Sequence, residues 1–244
     1  MSEHSSTRSS NNALIPAALF IGVALVICTL IGTKAFVRVK GYGQTISVTG
    51  SASKPIRSNR AMWEGAISVT APKLEDAYAQ LKANLAKTGT FMSQEGFQPG
   101  QYDVGAVQIN KNFNREQVLQ GYTLRQSIKV SLDDVDRVTA LSLKASTLVE
   151  SGIEFYSNRP RYLFTKLDTL KIEMIRSATE NAKLRATQLA EITGRKIGSP
   201  TAARVGVFQI RPLNSQDVSD MGMSDETSIE KEITSTVNAS FLFE

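Results

Sequence analysis

The chain has 244 residues, enough for one large or two small domains behind any targeting segment. Its 28 Lys+Arg against 23 Asp+Glu give a net charge of +5. Residues 1–40 alone carry Arg8, Lys34, Arg38 and Lys40 against Glu3, so the remainder is close to neutral and holds no basic stripe of the kind nucleic acid requires. The one histidine, His4, and the one cysteine, Cys28, lie ahead of everything else, which excludes Ser-His-Asp and Cys-His catalysis, His/Cys zinc sites, thiol redox chemistry and an internal disulfide from the body.

Residues 1–12 are Ser/Asn-rich and expected to be a disordered tail. From Ala13 to Thr33 no side chain is charged, and at about 1.5 Å per residue that run matches the ~30 Å hydrocarbon core of a bilayer. A spanning helix satisfies its own amides in lipid, and Pro16 falls in its first turn, where the missing N–H is harmless. Residues 13–35 are therefore expected to be a transmembrane signal-anchor partnered by the bilayer through Ala13, Leu14, Leu19, Phe20, Ile21, Val23, Leu25, Val26, Ile27, Leu30 and Ile31. Thr33-Lys34-Ala35 is a weak cleavage site, and Ile27 before Cys28 is wrong for a lipoprotein. Lys34, Arg38 and Lys40 outnumber Arg8, which by local charge alone places the body in the cytoplasm. Residues 36–44 read as a connector, whose GYGQTI lacks the third glycine of a dinucleotide fingerprint.

Alternation of Ile46, Val48, Gly50 and Ala52 predicts a strand over 45–52, broken at Lys54-Pro55. Arg60 to Thr70 is a second strand, with Trp63 expected in the core. Leu74, Ala77, Leu81, Leu85, Thr88 and Met92 then recur at helical spacing up to Gly96. Strands follow over 101–111 and 121–132, then a helix through Val135, Val138, Leu141 and Leu148, then a short strand at 153–156. The order over 60–158 is strand, helix, strand, strand, helix, strand, the split βαβ (βαββαβ) pattern of an α+β sandwich.

Residues 159–244 form a second part. A strand at 161–164 precedes a long helix over 166–193, in which Ala178, Ala182, Ala186 and Ala190 make a ridge that permits close approach. Antiparallel C-terminal strands are expected at 201–211 and 231–244, the latter with Ile233, Ser235, Val237, Ala239, Phe241 and Phe243 on one face. Between them lies a polar loop, 213–230, too long for a hairpin.

Val48-Thr49-Gly50-Ser51-Ala52 followed by Pro55, the Ala178…Ala182…Ala186…Leu189-Ala190 helix leading into Thr193-Gly194 and Ile197-Gly198, and the closing Val237-Asn238-Ala239-Ser240-Phe241 together resemble the SIMPL-domain family over most of residues 44–244. One departure is Ile56-Arg57 after Pro55, where an acidic residue is common. The resemblance implies an exported bacterial protein, hence a single-pass inner (plasma) membrane protein with its body in the periplasm, against the local charge count. It implies no catalytic residues and no cofactor, a loose link to envelope stress, and a homo-oligomer as a live possibility, since a relative builds a large ring.

Asp133-Asp134-Val135-Asp136 is the densest acidic cluster, but it precedes a helix and lacks calcium-loop spacing, so capping is preferred to metal binding. Tyr156, Tyr162 and Phe164 read as core rather than a stacking surface. No metal site and no small-molecule substrate is identified. Residues 159–211 carry +7 and residues 212–244 carry −6. That asymmetry is met either within the chain or between copies, in which case Arg204 and Arg211 meet Asp217, Asp220, Asp225 and Glu226 of the next protomer. The function expected is a membrane-anchored, extracytoplasmic, self-assembling ring or cage, not an enzyme. The alternatives are an envelope stress-related binding module with a groove between the split βαβ sheet and the long helix, and a cytoplasmic-facing membrane scaffold.

Overall fold

The computed structural model describes residues 14–41, 45–215, 219 and 221–244, and in the first helix the side chains of residues 22–34 and 36. The chain is α+β. Helix α1 (Leu14–Gly41) comes first, and Val23, Leu25, Val26, Ile27, Leu30 and Ile31 are all at least half exposed on it. Ala13 and the side chains of Leu14, Leu19, Phe20 and Ile21 lie outside the described residues. Among the described residues no helix is long and apolar enough to cross a membrane.

Then come β1 (Thr45–Arg57), β2 (Arg60–Ala71), α2 (Leu74–Gln94), β3 (Tyr102–Val104), β4 (Gln108–Phe113), β5 (Leu119–Leu132), α3 (Val135–Lys144), α4 (Thr147–Glu150), β6 (Phe155–Ser157) and β7 (Arg161–Leu163). The chain ends with α5 (Leu167–Ile192), β8 (Ile197–Val205), β9 (Gln209–Pro212), β10 (Met223–Ser224) and β11 (Glu230–Phe243).

Six strands form one sheet in the order β3-β5-β2-β6, with β4 also on β5 and β7 also on β2. Strands β2 and β5 pair antiparallel from Ala61↔Leu132 to Ala71↔Tyr122. Alternation puts Trp63, Ile67 and Val69 with Leu124, Ile128 and Val130 on the face that meets Ala77, Leu81 and Met92 of α2 and Val138 and Leu141 of α3. The strand–helix–strand–strand–helix–strand order expected over 60–158 is the order the chain follows, with two refinements. The strand expected over 101–111 is split into β3 and β4, because pairing with β5 shifts by one residue between Tyr102↔Val130 and Gln108↔Arg125. The second helix is interrupted between α3 and α4.

The other sheet has five strands, β1-β11-β9-β10, with β8 also on β11. Lys54-Pro55 does not end β1, contrary to expectation. The strand runs to Arg57 because β1 pairs with β11 alone and so sits at the sheet edge, where a missing N–H breaks no ladder. The loop expected over 213–230 contains β10, paired parallel to β9 through Met223↔Gln209 and Ser224↔Ile210.

Contacts divide the chain into two compact units. The larger, Thr49–Ala182 with Val205–Val237, holds two hydrophobic clusters. In it α5 lays Leu170 and Met174 on Ile56, Ile210 and Ile233. Gly50 brings β1 against α5: a Cβ there would lie 2.1 Å from the Ala178 carbonyl oxygen and 2.3 Å from the Ala182 nitrogen. The Thr49-Gly50-Ser51 motif and the alanine ridge are thus two halves of one close approach, completed by the Ser51 amide donating to Asn181 Oδ1 at 3.1 Å. The smaller unit, Met1–Val48 with Lys183–Arg204 and Asn238–Glu244, joins Lys196 to Glu244 by reciprocal backbone hydrogen bonds and Ser47 Oγ to Ser240 Oγ at 2.7 Å.

Candidate functional site

Strands β9 and β11 pair through Arg211↔Glu232, Ile210↔Ile233 and Gln209↔Thr234. Because alternate residues share a face, Ile210 and Ile233 turn toward α5, while Gln209, Arg211, Glu232, Thr234 and Thr236 turn the other way. On that outer face lies a cavity of about 510 Å³ lined by Val205, Gly206, Val207, Gln209, Arg211, Ser219, Thr234 and Thr236. Its floor is held by Ser53 Oγ and Thr234 Oγ1, 2.9 Å apart, and its wall by the Gly206 amide donating to the Thr236 carbonyl at 2.8 Å. A Cβ at position 206 would lie 2.3 Å from Thr236 Oγ1, so glycine is what lets that wall stand so close.

The polar groups of the cleft are unevenly satisfied. Arg211 donates from Nε and Nη2 to Glu232 Oε2, at 3.2 and 2.7 Å, leaving both Nη1 hydrogens outside that pair. Gln209 is 8% exposed; its Nε2 donates to the Ser219 carbonyl, while its Oε1 is buried without a donor among the described residues. The groove expected between the split βαβ sheet and the long helix does not correspond to this cavity, since α5 packs on the opposite face of the five-stranded sheet. A second cavity, of about 430 Å³, lies beside the first turn of α5 among Thr165, Lys166, Asp168 and Glu173.

Next to the cleft the chain from Asp225 to Ile229 is a strap rather than a free arm. The Tyr162 amide donates to the Glu226 carbonyl at 2.7 Å and the Ser58 amide to the Ile229 carbonyl at 2.9 Å. Lys231, 1% exposed, pins the strap by donating from Nζ to the Tyr162 carbonyl at 2.6 Å and to the Asp225 carbonyl. Burial pulls the Lys231 ammonium below its ordinary value, partly opposed by the Asp225 and Glu226 charges. For Asp225, burial pushes the carboxyl up, but hydrogen bonds from Thr227 and Ser228 and the Lys231 charge outweigh it, so the net shift is downward. Asp225 Oδ2 remains buried without a partner among the described residues.

These contacts decide where the residues proposed for inter-protomer contact lie. Arg211 pairs with Glu232, and Glu226 accepts from Arg161 Nε at 2.7 Å, so both are engaged within the chain, as is Asp225. Arg204 is exposed on β8, and Asp217 and Asp220 lie outside the described residues. The acidic cluster caps, as expected: Asp134 accepts from the Arg137 amide at 3.0 Å, while Asp133 and Asp136 pair with Arg60 and Arg57 at 2.8 and 2.7 Å. The Asp133 carboxyl is held low, first by its hydrogen bond from Arg60. Trp63 and Tyr162 are core, but Tyr156 is 48% exposed beneath the Arg125 guanidinium. Among the described residues no group of three or more His, Cys, Asp or Glu is placed to hold a metal.

Gln209, Thr234, Thr236 and Lys231 were not singled out from sequence. Lys231 carried a signal, since it shares the odd-numbered face of β11 with Ile233, Ser235 and Val237, which is the buried face.

A family model described as SIMPL, protein of unknown function (DUF541), matches residues 46–241. No curated protein matches the chain.

Proposed function

This chain belongs to the SIMPL family, and from that premise we propose that it is a membrane-anchored, extracytoplasmic protein of the cell envelope that acts by self-assembly rather than turnover. The observation that carries the anchoring is the charge-free run Ala13–Thr33, twenty-one residues flanked on its C-terminal side by Lys34, Arg38 and Lys40. Assembly draws support from an open edge: β3 and β4 pair with β5 alone, and Val104, Ile109, Phe113, Val118 and Leu119 along that hairpin are 41–53% exposed. Strand edges with apolar flanks are templates for a second chain.

Two experiments test the reading. A phosphatase or β-lactamase fused at Glu244 reports which side of the membrane holds the body; activity only outside the cytoplasm is expected, and activity only inside would favour a cytoplasmic-facing scaffold. Electron microscopy of full-length protein in detergent is expected to show discrete rings or cages, dispersed by Ile109→Glu with Phe113→Glu. Uniform single-chain particles from the unmodified protein would overturn the assembly reading in favour of a binding module.

A further inference from the structure

We propose that β4 is the strand through which two copies of this chain pair, edge to edge and antiparallel about a twofold axis, so that their six-stranded sheets become one. This pairing rests on the assembly reading above and gives that assembly a defined contact and a symmetry. An unpaired strand edge is a template for another strand, so proteins block the edges they leave open. Among the described residues this chain blocks the others. Strand β1 carries Pro55 and has its Ser51 amide bound by Asn181 Oδ1. The Tyr162 amide of β7 is bound by the Glu226 carbonyl, and β8 contains Pro200. Strands β3 and β6 have three residues each and β10 has two. Strand β4 has six residues, no proline, and pairing to β5 alone.

A second copy therefore offers β4 no open edge but its own β4, and a surface that pairs with itself closes after two copies. Side-chain alternation suits such a pairing. Ile109 shares the helix-side face with its β5 partner Leu124, whereas Gln108 and Asn110 lie on the other face with Arg125 and Thr123. A twofold axis perpendicular to the sheet keeps like faces together. The longest overlaps of Gln108–Phe113 with itself are centred on Lys111 or on Asn110. Centring on Lys111 sets two ammonium groups directly opposite each other, which is destabilising. Centring on Asn110 sets Gln108 opposite Asn112 and covers Ile109, 53% exposed in the single chain, with the aliphatic stem of Lys111. Asn110 therefore sits on the axis. Because this contact is closed, a larger ring needs a second, different surface and contains an even number of chains.

The test is disulfide cross-linking of the full-length protein in detergent, in a Cys28→Ser background, with copper phenanthroline as oxidant. Directly opposed residues of an antiparallel pair have Cα atoms about 4.5–5.5 Å apart, within disulfide reach. Asn110→Cys alone is expected to give a covalent dimer as the main product. Gln108→Cys and Asn112→Cys should each cross-link at least about fivefold less alone, since each lies about 13 Å along the strand from its own copy, yet should form a mixed dimer when combined. Light scattering on the same samples separates the two readings. No cross-link at these positions in a species larger than 26.6 kDa would overturn this pairing and leave assembly standing, whereas a single-chain mass at every concentration would remove both. Self-cross-linking of Gln108→Cys or Asn112→Cys as strong as that of Asn110→Cys would also overturn the pairing.

Discussion

Within the larger unit, the six-stranded sheet and the part of the five-stranded sheet that lies there hold their helices by opposite means. Under the six-stranded sheet the contact is made by bulk: Ile67, Leu124, Ile128, Leu81, Met92 and Phe97 are all at most 1% exposed and fill the space between strands and helices. Under the five-stranded sheet the contact at Gly50, Ala178 and Ala182 is made by the absence of bulk, and the buried face of β11 admits Lys231 and Ser235. The first arrangement is robust to polar changes and sensitive to lost volume. The second is sensitive to added volume and to lost hydrogen bonds, and among the described residues it and the adjoining strap carry the buried polar atoms without a partner.

Substitutions separate the two regimes. Leu124→Ala should destabilise the chain by about 4 kcal/mol through cavity formation, read by chemical denaturation of the full-length protein. Gly50→Ala adds a single methyl yet should cost about 3 kcal/mol, because the atoms it meets are backbone. If Gly50→Ala were neutral, the close approach of β1 to α5 would be wrong. Lys231→Met keeps the stem and removes the ammonium, leaving the Tyr162 and Asp225 carbonyls without their donor; about 2 kcal/mol is expected.

The same variant sharpens the comparison through pH. The folded Lys231 value lies below the unfolded value of about 10.4, so the unfolded chain holds more protons between the two, and stability from this group rises with pH across that window. Lys231→Met should abolish that rise. Asp225 works at the other end. Its folded value is depressed, so its contribution is present above the unfolded value of about 3.9 and is lost as pH falls through the folded one; Asp225→Asn should flatten that acid limb. Smaller still, Asp134→Ala removes the α3 cap and should cost about 1 kcal/mol. Lys54→Ala, which breaks the exposed pair with Glu173, should change stability by less than about 0.5 kcal/mol.

What could be read from the chain follows the same division. The six-stranded part was legible because its strands alternate and its helices repeat: Tyr122 to Leu132 reads as a strand, and Leu74 to Met92 reads as a helix, from side-chain period alone. The five-stranded part was legible only in outline. Pro55 argued for a break that an edge position made unnecessary, and β10 is two residues long, below any periodic signal. The alanine ridge announced a close contact, but its partner, Gly50, is 128 residues earlier than Ala178 and could be found only through the fold. The cleft was hidden because Gln209, Thr234 and Thr236 are ordinary residues on the polar side of two strands. Their chemistry arises from register, not from any local motif. The acidic segment reads from composition only as a polar loop, and that the carbonyls of Asp225 and Glu226 are bound to Lys231 and Tyr162 could be found only through the fold.

The central claim, that this chain acts by self-assembly at a membrane, is tested most directly by light scattering coupled to size exclusion of the full-length protein in detergent at low salt. The account predicts a protein mass many times the 26.6 kDa of one chain, conserved on dilution. A strict 26.6 kDa species at every concentration would contradict it.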